Sequence, residues 1–296
     1  MIKPILKILI GIPGSGKTNY AKNYVDKHAK HVSSDLIREE LYGNESIQGN
    51  PEEVFSLMKE RTLNFLKQGY DVIYDATNIT KKDRASIINL CPKYVHIEAV
   101  VVWASIKTCI KRDAERNRTV GKDVIDKMLK KFQAPYYDEG FESISIYESE
   151  KVIRAQYINE CLKNMDISHD NPHHSVDILE HCNKAGEAFR EELNKYGFEC
   201  SLFHAAQYHD ISKPYVKAFI NSKGEPCEIA HYYQHQCVGA WIVYGCIDND
   251  FFDAVYIAWL VSTHMDPFLN TKYYNNLPTF LKTDIDRLHK ADLEAH

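Results

Sequence analysis

The residues with the most specific chemistry are Gly11-Ile12-Pro13-Gly14-Ser15-Gly16-Lys17-Thr18, a complete GxxxxGK-[Ser/Thr] octet. Glycine lets successive backbone N–H groups turn toward an anion, so Gly11, Gly14, Ser15 and Gly16 would cradle phosphate oxygens. Lys17 would reach the β- and γ-phosphates of ATP, and Thr18 would hold Mg2+. Glycine-rich turns also occur without ligands, but this octet lies between an apolar run and a helical stretch, where a helix N-terminus favours phosphate. In Val32-Ser33-Ser34-Asp35-Leu36-Ile37-Arg38, Asp35 could accept a proton from an attacking hydroxyl, and Arg38 could position that nucleophile or a neighbouring phosphate. A capping aspartate beside a surface arginine is the plainer alternative. Asp75-Ala76-Thr77-Asn78 would either line an acceptor site or form a capped turn. Arg112 and Arg116 lie four apart, on one helical face, with Arg118 beyond a fray. Together they suit a lid that brings arginine to a transferring phosphoryl group, or else a solvated basic helix.

A second set of residues combines imidazoles with carboxylates. His181, His209-Asp210, His235, His264 and Asp292 offer the donor types of a divalent transition-metal site. Eleven of the 14 histidines follow residue 155, which argues against chance scatter through core and surface. Asp210 could also orient a water, and Lys213 could stabilise developing negative charge. Glu180 or Asp177 would anchor a histidine's second nitrogen.

The elements needed to position these groups differ between the two sets. Ile5–Ile10, Asp71–Asp75 and Val95–Trp103 read as strands, and Ile144–Ile153 as a last one. Helical spacing runs from Lys17 to about Lys30, over Glu52–Gln68 and Lys81–Leu90, and from Lys107 to Gln133 with a break at 118–121. Such alternation predicts a mostly parallel sheet covered on both faces. Beyond it, helices are expected over Val176–Tyr196, Cys200–Tyr208, Ala230–Cys246, Phe251–His264 and Thr283–Ala295, with a hairpin over Phe219–Cys227. The boundary falls near residues 154–165, giving domains 1–155 and 156–296: an α/β domain followed by an all-α one.

Composition agrees with two chemically different halves. The net charge of -5 averages residues 1–155, with 25 Lys+Arg against 21 Asp+Glu, and residues 156–296, with 11 against 20. A 44% hydrophobic, 26% charged chain of 296 residues excludes wholesale disorder. No apolar run is long enough for a membrane span, and no signal-peptide pattern precedes the first strand. Eight cysteines without a CxxC pair give a zinc ribbon little support and fit a reducing cytoplasm.

The phosphate octet, Asp35 and Arg38 after paired serines, the Asp-Ala-Thr-Asn segment and the arginine lid resemble the 5′-hydroxyl polynucleotide kinase branch of P-loop phosphotransferases. That resemblance implies Asp35 as general base, Arg38 on the acceptor phosphate, and a lid arginine, assigned to Arg116, near the ATP phosphates. Arg112 and Arg118 would assist in binding. The second half resembles the HD metal-dependent phosphohydrolase superfamily, whose ordered pattern maps onto His181, His209, Asp210 and Asp292. There the resemblance implies that His235 and His264 take a second metal or the substrate phosphate, with Mn, Ni, Co or Fe as the ion. The fusion resembles bifunctional enzymes that heal RNA or DNA ends. One half would phosphorylate a 5′-OH, the other would clear a 2′,3′-cyclic phosphate or 2′-phosphate, and an RNA ligase would be a partner. The alternatives are a nucleoside or small-metabolite kinase fused to an HD nucleotidase, and a nonenzymatic RNA-binding protein.

Overall fold

A computed structural model of the chain describes residues 3–25, 28–116, 118–171, 176–195, 202–248 and 253–295. The chain divides into two compact units. One comprises the residues up to Met128 together with Pro135–Lys151; the other comprises Leu129–Ala134 together with the residues from Val152 onward.

The first unit is α/β. Strands β1 (Ile5–Ile10), β2 (Ala29–Ser33), β3 (Asp71–Asp75), β4 (His96–Trp103) and β5 (Ser143–Glu148) form one sheet in the order β2-β3-β1-β4-β5. Its ladders are all parallel. Parallel neighbours need crossovers, which helices α1 (Lys17–Tyr24), α2 (Ser34–Tyr42), α3 (Pro51–Lys67), α4 (Lys81–Ile88), α5 (Ile106–Ala114) and α6 (Lys122–Leu129) provide. In their carboxyl-terminal halves, residues 8–10 of β1 and 99–103 of β4, the central strands are buried without alternation, as strands covered on both faces must be. The register sets Leu9 opposite Asp75, Ser33 opposite Asp75, and Ile10 opposite Val101. Gly11, Asp35 and the 75–78 segment therefore leave from one rim, at the carboxyl ends of the strands, where open α/β sheets bind ligands.

Two helix expectations need correction here. The helix from Lys17 stops at Tyr24, because Ala29 and Lys30 pair with Asp71 and Val72 as part of β2. Helix α5 ends at Ala114, so Arg112 lies on it but Arg116 lies beyond it. The shared helical face expected of these two arginines does not exist.

The second unit is mainly helical: α7 (Arg154–Met165), α8 (Ile178–Asn194), α9 (Phe203–Tyr208), α10 (Lys213–Val216), α11 (His235–Cys246), α12 (Ala254–Thr263), α13 (Asp266–Leu269), α14 (Thr271–Asn276) and α15 (Thr279–Glu294). An antiparallel hairpin joins β6 (Ala218–Ile220) to β7 (Pro226–His231). Its turn is closed by Gly224 N–H donating to the Asn221 carbonyl at 3.0 Å. The helix expected from Ala230 starts only at His235, because Ala230 and His231 complete β7. Helix α7 occupies the stretch 154–165. The segment 172–175, with His173 and His174, lies outside the described residues, as do the first residues expected of the Cys200 and Phe251 helices.

Packing in this unit follows two patterns. Helices α11 and α12 are apolar on all sides and form the centre, with Trp241, Tyr244 and Trp259 fully buried. Phe132 packs edge-on against Trp241 with ring centroids 5.2 Å apart, which ties Leu129–Ala134 into this core. Helices α8 and α15 each bury one stripe. On α8 it comprises Ile178, His181, Cys182, Ala185, Gly186, Phe189 and Leu193. On α15 it comprises Leu281, Ile285, Leu288 and Ala291, adjoining Asp292. A β-carbon at Gly186 would lie 3.3 Å from Gln207 Cβ, so glycine lets α8 approach α9 closely.

Candidate functional site

The phosphate loop is shaped by its glycines. Gly14 and Gly16 have φ of 79° and 101°, a left-handed backbone that glycine adopts without steric cost. A β-carbon at Gly14 would fall 2.2 Å from the Cys109 carbonyl oxygen, and one at Gly11 would fall 2.8 Å from that of Val102. Lys17 Nζ folds over the loop and donates to the carbonyls of Gly11 at 2.7 Å and Ile12 at 3.0 Å. Burial lowers the Lys17 pKa against the pull of Asp75 and Asp35, and the Arg116 charge lowers it further. Ser15 Oγ is buried without a hydrogen-bond partner, and Thr18 is exposed at the start of α1. A buried orphan hydroxyl, a lysine ammonium and left-handed glycines together fit the phosphates of a nucleotide, with Thr18 free to meet Mg2+. Arg112 braces the loop: its guanidinium donates to Ser149 Oγ at 2.8 Å and to the Ser149 carbonyl at 2.9 Å. Ser149 Oγ in turn donates to the Ser15 carbonyl at 2.5 Å.

Asp35 stands at the first turn of α2, where its N–H donates to Ser33 Oγ at 3.2 Å. Its Oδ1 accepts from Arg38 Nη1 at 3.0 Å and from Arg118 Nη1 at 2.9 Å. The Asp35 side chain is 44% exposed while that of Arg38 is 10% exposed, so the carboxylate is open to a substrate and Arg38 is its fixed support. Of the arginines expected in a lid, Arg118 is therefore the one that reaches Asp35, whereas Arg116 pairs with Asp113. Asp113 is a residue the motifs did not single out. It is buried, and its carboxylate also accepts from the backbone N–H groups of Val120 at 3.0 Å and Gly121 at 2.9 Å. Burial alone would raise its pKa, but the hydrogen bonds from Gly121, Arg116 and Val120 outweigh burial and hold the carboxyl below its ordinary range. One carboxylate thereby closes the turn that carries Arg118.

The Asp-Ala-Thr-Asn segment is built mainly as a strut. The Thr77 carbonyl accepts from Gly11 N–H at 3.0 Å, and Asn78 Nδ2 donates to the Leu9 carbonyl at 2.7 Å. Asn78 holds φ of 47°, a left-handed conformation that asparagine tolerates. Beneath it lies Arg84, also missed from sequence. Arg84 is fully buried and donates to both Glu139 carboxylate oxygens at 2.7 Å and to the Asn78 carbonyl at 3.0 Å. Asp75 is buried against His31, whose Nε2 lies 3.0 Å from Oδ2.

In the second unit the structure brings together all the expected imidazoles and carboxylates. His181 Nε2 lies 3.3 Å from His209 Nε2 and 2.9 Å from Asp292 Oδ1. His209 Nε2 lies 3.3 Å from both Asp210 Oδ2 and Asp292 Oδ1. On the other side, Asp210 Oδ1 lies 3.2 Å from His235 Nε2, which is 3.1 Å from His264 Nε2. Two separate groups result, His181–His209–Asp292 and Asp210–His235–His264, and a third, Cys182–His209–Asp210, shares one residue with each; within every group the ligand atoms lie within 4.8 Å of one another. Asp210 belongs between them. Lys213 Nζ donates to Asp210 Oδ2 at 2.6 Å.

The helix ends explain this arrangement. His209 caps α9 and His264 caps α12, where last-turn carbonyls lack helical partners. His209 Nδ1 donates to the Ala206 carbonyl at 2.6 Å, His264 Nδ1 to that of Val261 at 2.8 Å, and His235 Nδ1 to that of Tyr232 at 2.9 Å. Each bond puts the proton on Nδ1 and turns Nε2 toward the cluster, as metal ligation requires. The expectation that Glu180 or Asp177 would do this is overturned. Asp177 caps α8 by accepting from Glu180 N–H at 2.7 Å, and Glu180 pairs with Lys184, also at 2.7 Å. Another residue missed from sequence is Ser212, whose buried hydroxyl donates to the His235 carbonyl at 2.5 Å and so links the His209-Asp210 turn to α11. Burial and the neighbouring His235 and His209 push the His264 pKa down to about 3, leaving it a neutral donor. Burial opposes ionisation of Asp210, but His209 and Lys213 overcome it and hold that carboxyl well below its usual range. Four imidazole nitrogens converging on two carboxylates fit divalent transition metals by donor chemistry.

Residues 6–135 match the family described as an AAA domain. The first unit is accordingly an α/β domain with a five-stranded parallel sheet and a phosphate loop, an architecture consistent with a P-loop kinase. The chain is 28% identical over 182 residues to an L-seryl-tRNA(Sec) kinase of Methanococcus maripaludis, an alignment covering 56% of this chain and 70% of that protein. It is also 28% identical over 149 residues to the transcription factor bHLH140 of Arabidopsis thaliana, covering 48% of this chain but only 16% of that one. Among solved structures, the chain resembles one from the Pnkp1/Rnl/Hen1 RNA repair complex, with 24% identity, a TM-score of 0.40 and 43% of each chain covered. A second structure of a Pnkp1/Rnl/Hen1 complex shows 26% identity and a TM-score of 0.35, over 38% of this chain and 40% of that one. The chain thus spans about two fifths of the length of these solved structures. Among the described residues no helix is long and apolar enough to cross a membrane.

Proposed function

We propose that the chain is a bifunctional end-healing enzyme that phosphorylates 5′-hydroxyl ends of RNA or DNA and hydrolyses 2′,3′-cyclic phosphate or 2′-phosphate ends. The observation that carries the first activity is Asp35, an open carboxylate held by Arg38 and Arg118 on the same strand rim as the phosphate loop. Asp35 takes the proton of the attacking 5′-hydroxyl, Arg38 holds the acceptor's first phosphate, and Lys17 follows the charge on the transferred γ-phosphoryl group. Arg118 reaches the reaction through Asp35, and Arg112 keeps the loop in shape through Ser149.

The converging nitrogens and carboxylates of the second unit support the hydrolase reading and its place in the HD superfamily. Divalent ions bound there, Mn, Ni, Co or Fe, would supply Lewis-acid activation of water and of the phosphoryl group. His181, His209, Asp210 and Asp292 would hold one ion, and Asp210, His235 and His264 a second. Lys213, in contact with Asp210, is placed to offset charge on the departing oxygen.

One water opens the cyclic phosphate to a 2′-phosphate and frees the 3′-hydroxyl, and a second water releases that phosphate; with the 5′-phosphate added by the first unit, the strand has the ends an RNA ligase joins, which makes such a ligase the natural partner downstream. The test is product analysis on RNA carrying a 5′-OH and a 2′,3′-cyclic phosphate, with γ-labelled ATP and a panel of divalent metals. Labelling of the 5′ end and metal-dependent loss of the cyclic phosphate are expected. Transfer to a free nucleoside without transfer to any oligonucleotide would select the small-metabolite reading instead.

A further inference from the structure

The hairpin between Lys213 and His235 presents aromatic rings that neither proposed reaction uses. Tyr233 is 43% exposed and lies nearly parallel to His231, with ring centroids 5.2 Å apart and 6° between planes. Tyr232, between them, is locked to the site. Its ring lies under Lys213 Nζ at 5.2 Å, its carbonyl accepts from His235 Nδ1, and its hydroxyl donates to the His169 carbonyl. The backbone that carries the ring pair is therefore held within four residues of His235, whose Nε2 lies 3.2 Å from Asp210. Along the paired strand, where Ala218 faces His231, Phe219 is 45% exposed with Lys217 Nζ 6.0 Å from its ring.

From this geometry we infer that Tyr233, stacked on His231, is the platform for the terminal nucleobase of a single-stranded nucleic acid whose end phosphate lies at the His/Asp cluster. The inference rests on the hydrolase reading above and names how that site selects its substrate. Charge and shape divide the work. Lys213, with any divalent cations bound at the cluster, would attract the terminal phosphate, while the parallel ring pair offers the outer face of Tyr233 to any base. Stacking of this kind tolerates any sequence, as a repair enzyme acting on ends requires.

The test compares full-length wild type and Tyr233→Ala on an oligoribonucleotide ending in a 2′,3′-cyclic phosphate and on bis-p-nitrophenyl phosphate, which has no base. Loss of the stack should raise KM for the oligonucleotide about 5- to 100-fold, lower the ratio of the two kcat/KM values by the same factor, and be rescued by Tyr233→Phe. An oligonucleotide with an abasic terminal residue should lose as much with wild type and lose nothing more with Tyr233→Ala. Equal losses on both substrates would reduce Tyr233 to a structural residue and overturn the inference, and so would unchanged KM on the oligonucleotide. Emission from Tyr233→Trp provides a readout independent of hydrolysis. Quenching by the oligonucleotide but not by its abasic form supports the platform even if no metal yields hydrolysis, in which case only the hydrolase reading falls. No quenching, or equal quenching by a free mononucleotide at the same concentration, overturns an oligonucleotide platform.

Discussion

Asp35 and Asp210 are both aspartates beside cations, yet their surroundings differ in a way that suits the two separate roles proposed for them. Asp35 is open at the mouth of the strand rim and keeps one face free, whereas Asp210 is buried among His209, His235 and Lys213. Replacing Asp35 by Ala should lower phosphoryl transfer by roughly 10²- to 10⁴-fold, the range for a general base, while metal-dependent hydrolysis by the same preparation continues. Asp210→Ala should do the reverse. Initial rates of both reactions on one doubly modified RNA measure the split, and parallel loss of both in either variant would refute the separation. Gly14 has a steric rather than chemical role: Gly14→Ala forces a methyl group against the Cys109 carbonyl and needs a left-handed alanine. We expect nucleotide affinity to fall at least about tenfold by equilibrium titration, since the loop must rebuild to accommodate it.

At the level of elements, the turn after α5 hangs on Asp113. Its depressed pKa fixes the sign of the pH dependence. The stabilisation is fully present above the ordinary aspartate value of about 3.9 and is lost as pH falls through the lower folded value. Hydrogen exchange at Val120 and Gly121 should therefore stay protected from about pH 5 to 8, whereas Asp113→Asn should expose both amides at neutral pH. Loss of wild-type protection between pH 6 and 7 would contradict this account. The turn below Asn78 depends on the buried Arg84–Glu139 pair in the same way. Removing one partner of a buried pair costs about 3–5 kcal/mol, so Arg84→Met should lower the melting temperature by roughly 6–20 °C and loosen the 75–78 strut.

For the whole molecule, each unit keeps its own core and its own cluster of charged groups. A metal that binds the folded second unit stabilises it by mass action, by about 2.7 kcal/mol at a hundred times Kd. Stripping the protein with a chelator should lower the melting transition of the helical unit by several degrees. ATP with Mg2+ should raise that of the α/β unit. Calorimetry resolves the two, and a chelator that left every transition unmoved would argue against ions at His181, His209, His235 and His264.

Much of this was legible in the sequence because it is local. The phosphate octet is contiguous, so its turn, its glycines and the following helix follow from spacing alone, as does the alternation of strand and helix that makes the first unit α/β. The residues of the second cluster were legible as types, since histidines and aspartates recur through a half of the chain that holds 11 of its 14 histidines. Their convergence was not legible, because His181, His209, His235, His264 and Asp292 come from five places in the chain and meet only when α8, α9, α11, α12 and α15 pack. Folding likewise decided which carbonyls orient the rings, which arginine reaches Asp35, and that Asp113, Arg84 and Ser212 matter. A side chain's role in these cases depends on a partner distant in sequence. Local propensity carries no information about such a partner, whereas burial, which makes an unpaired polar group costly, selects it.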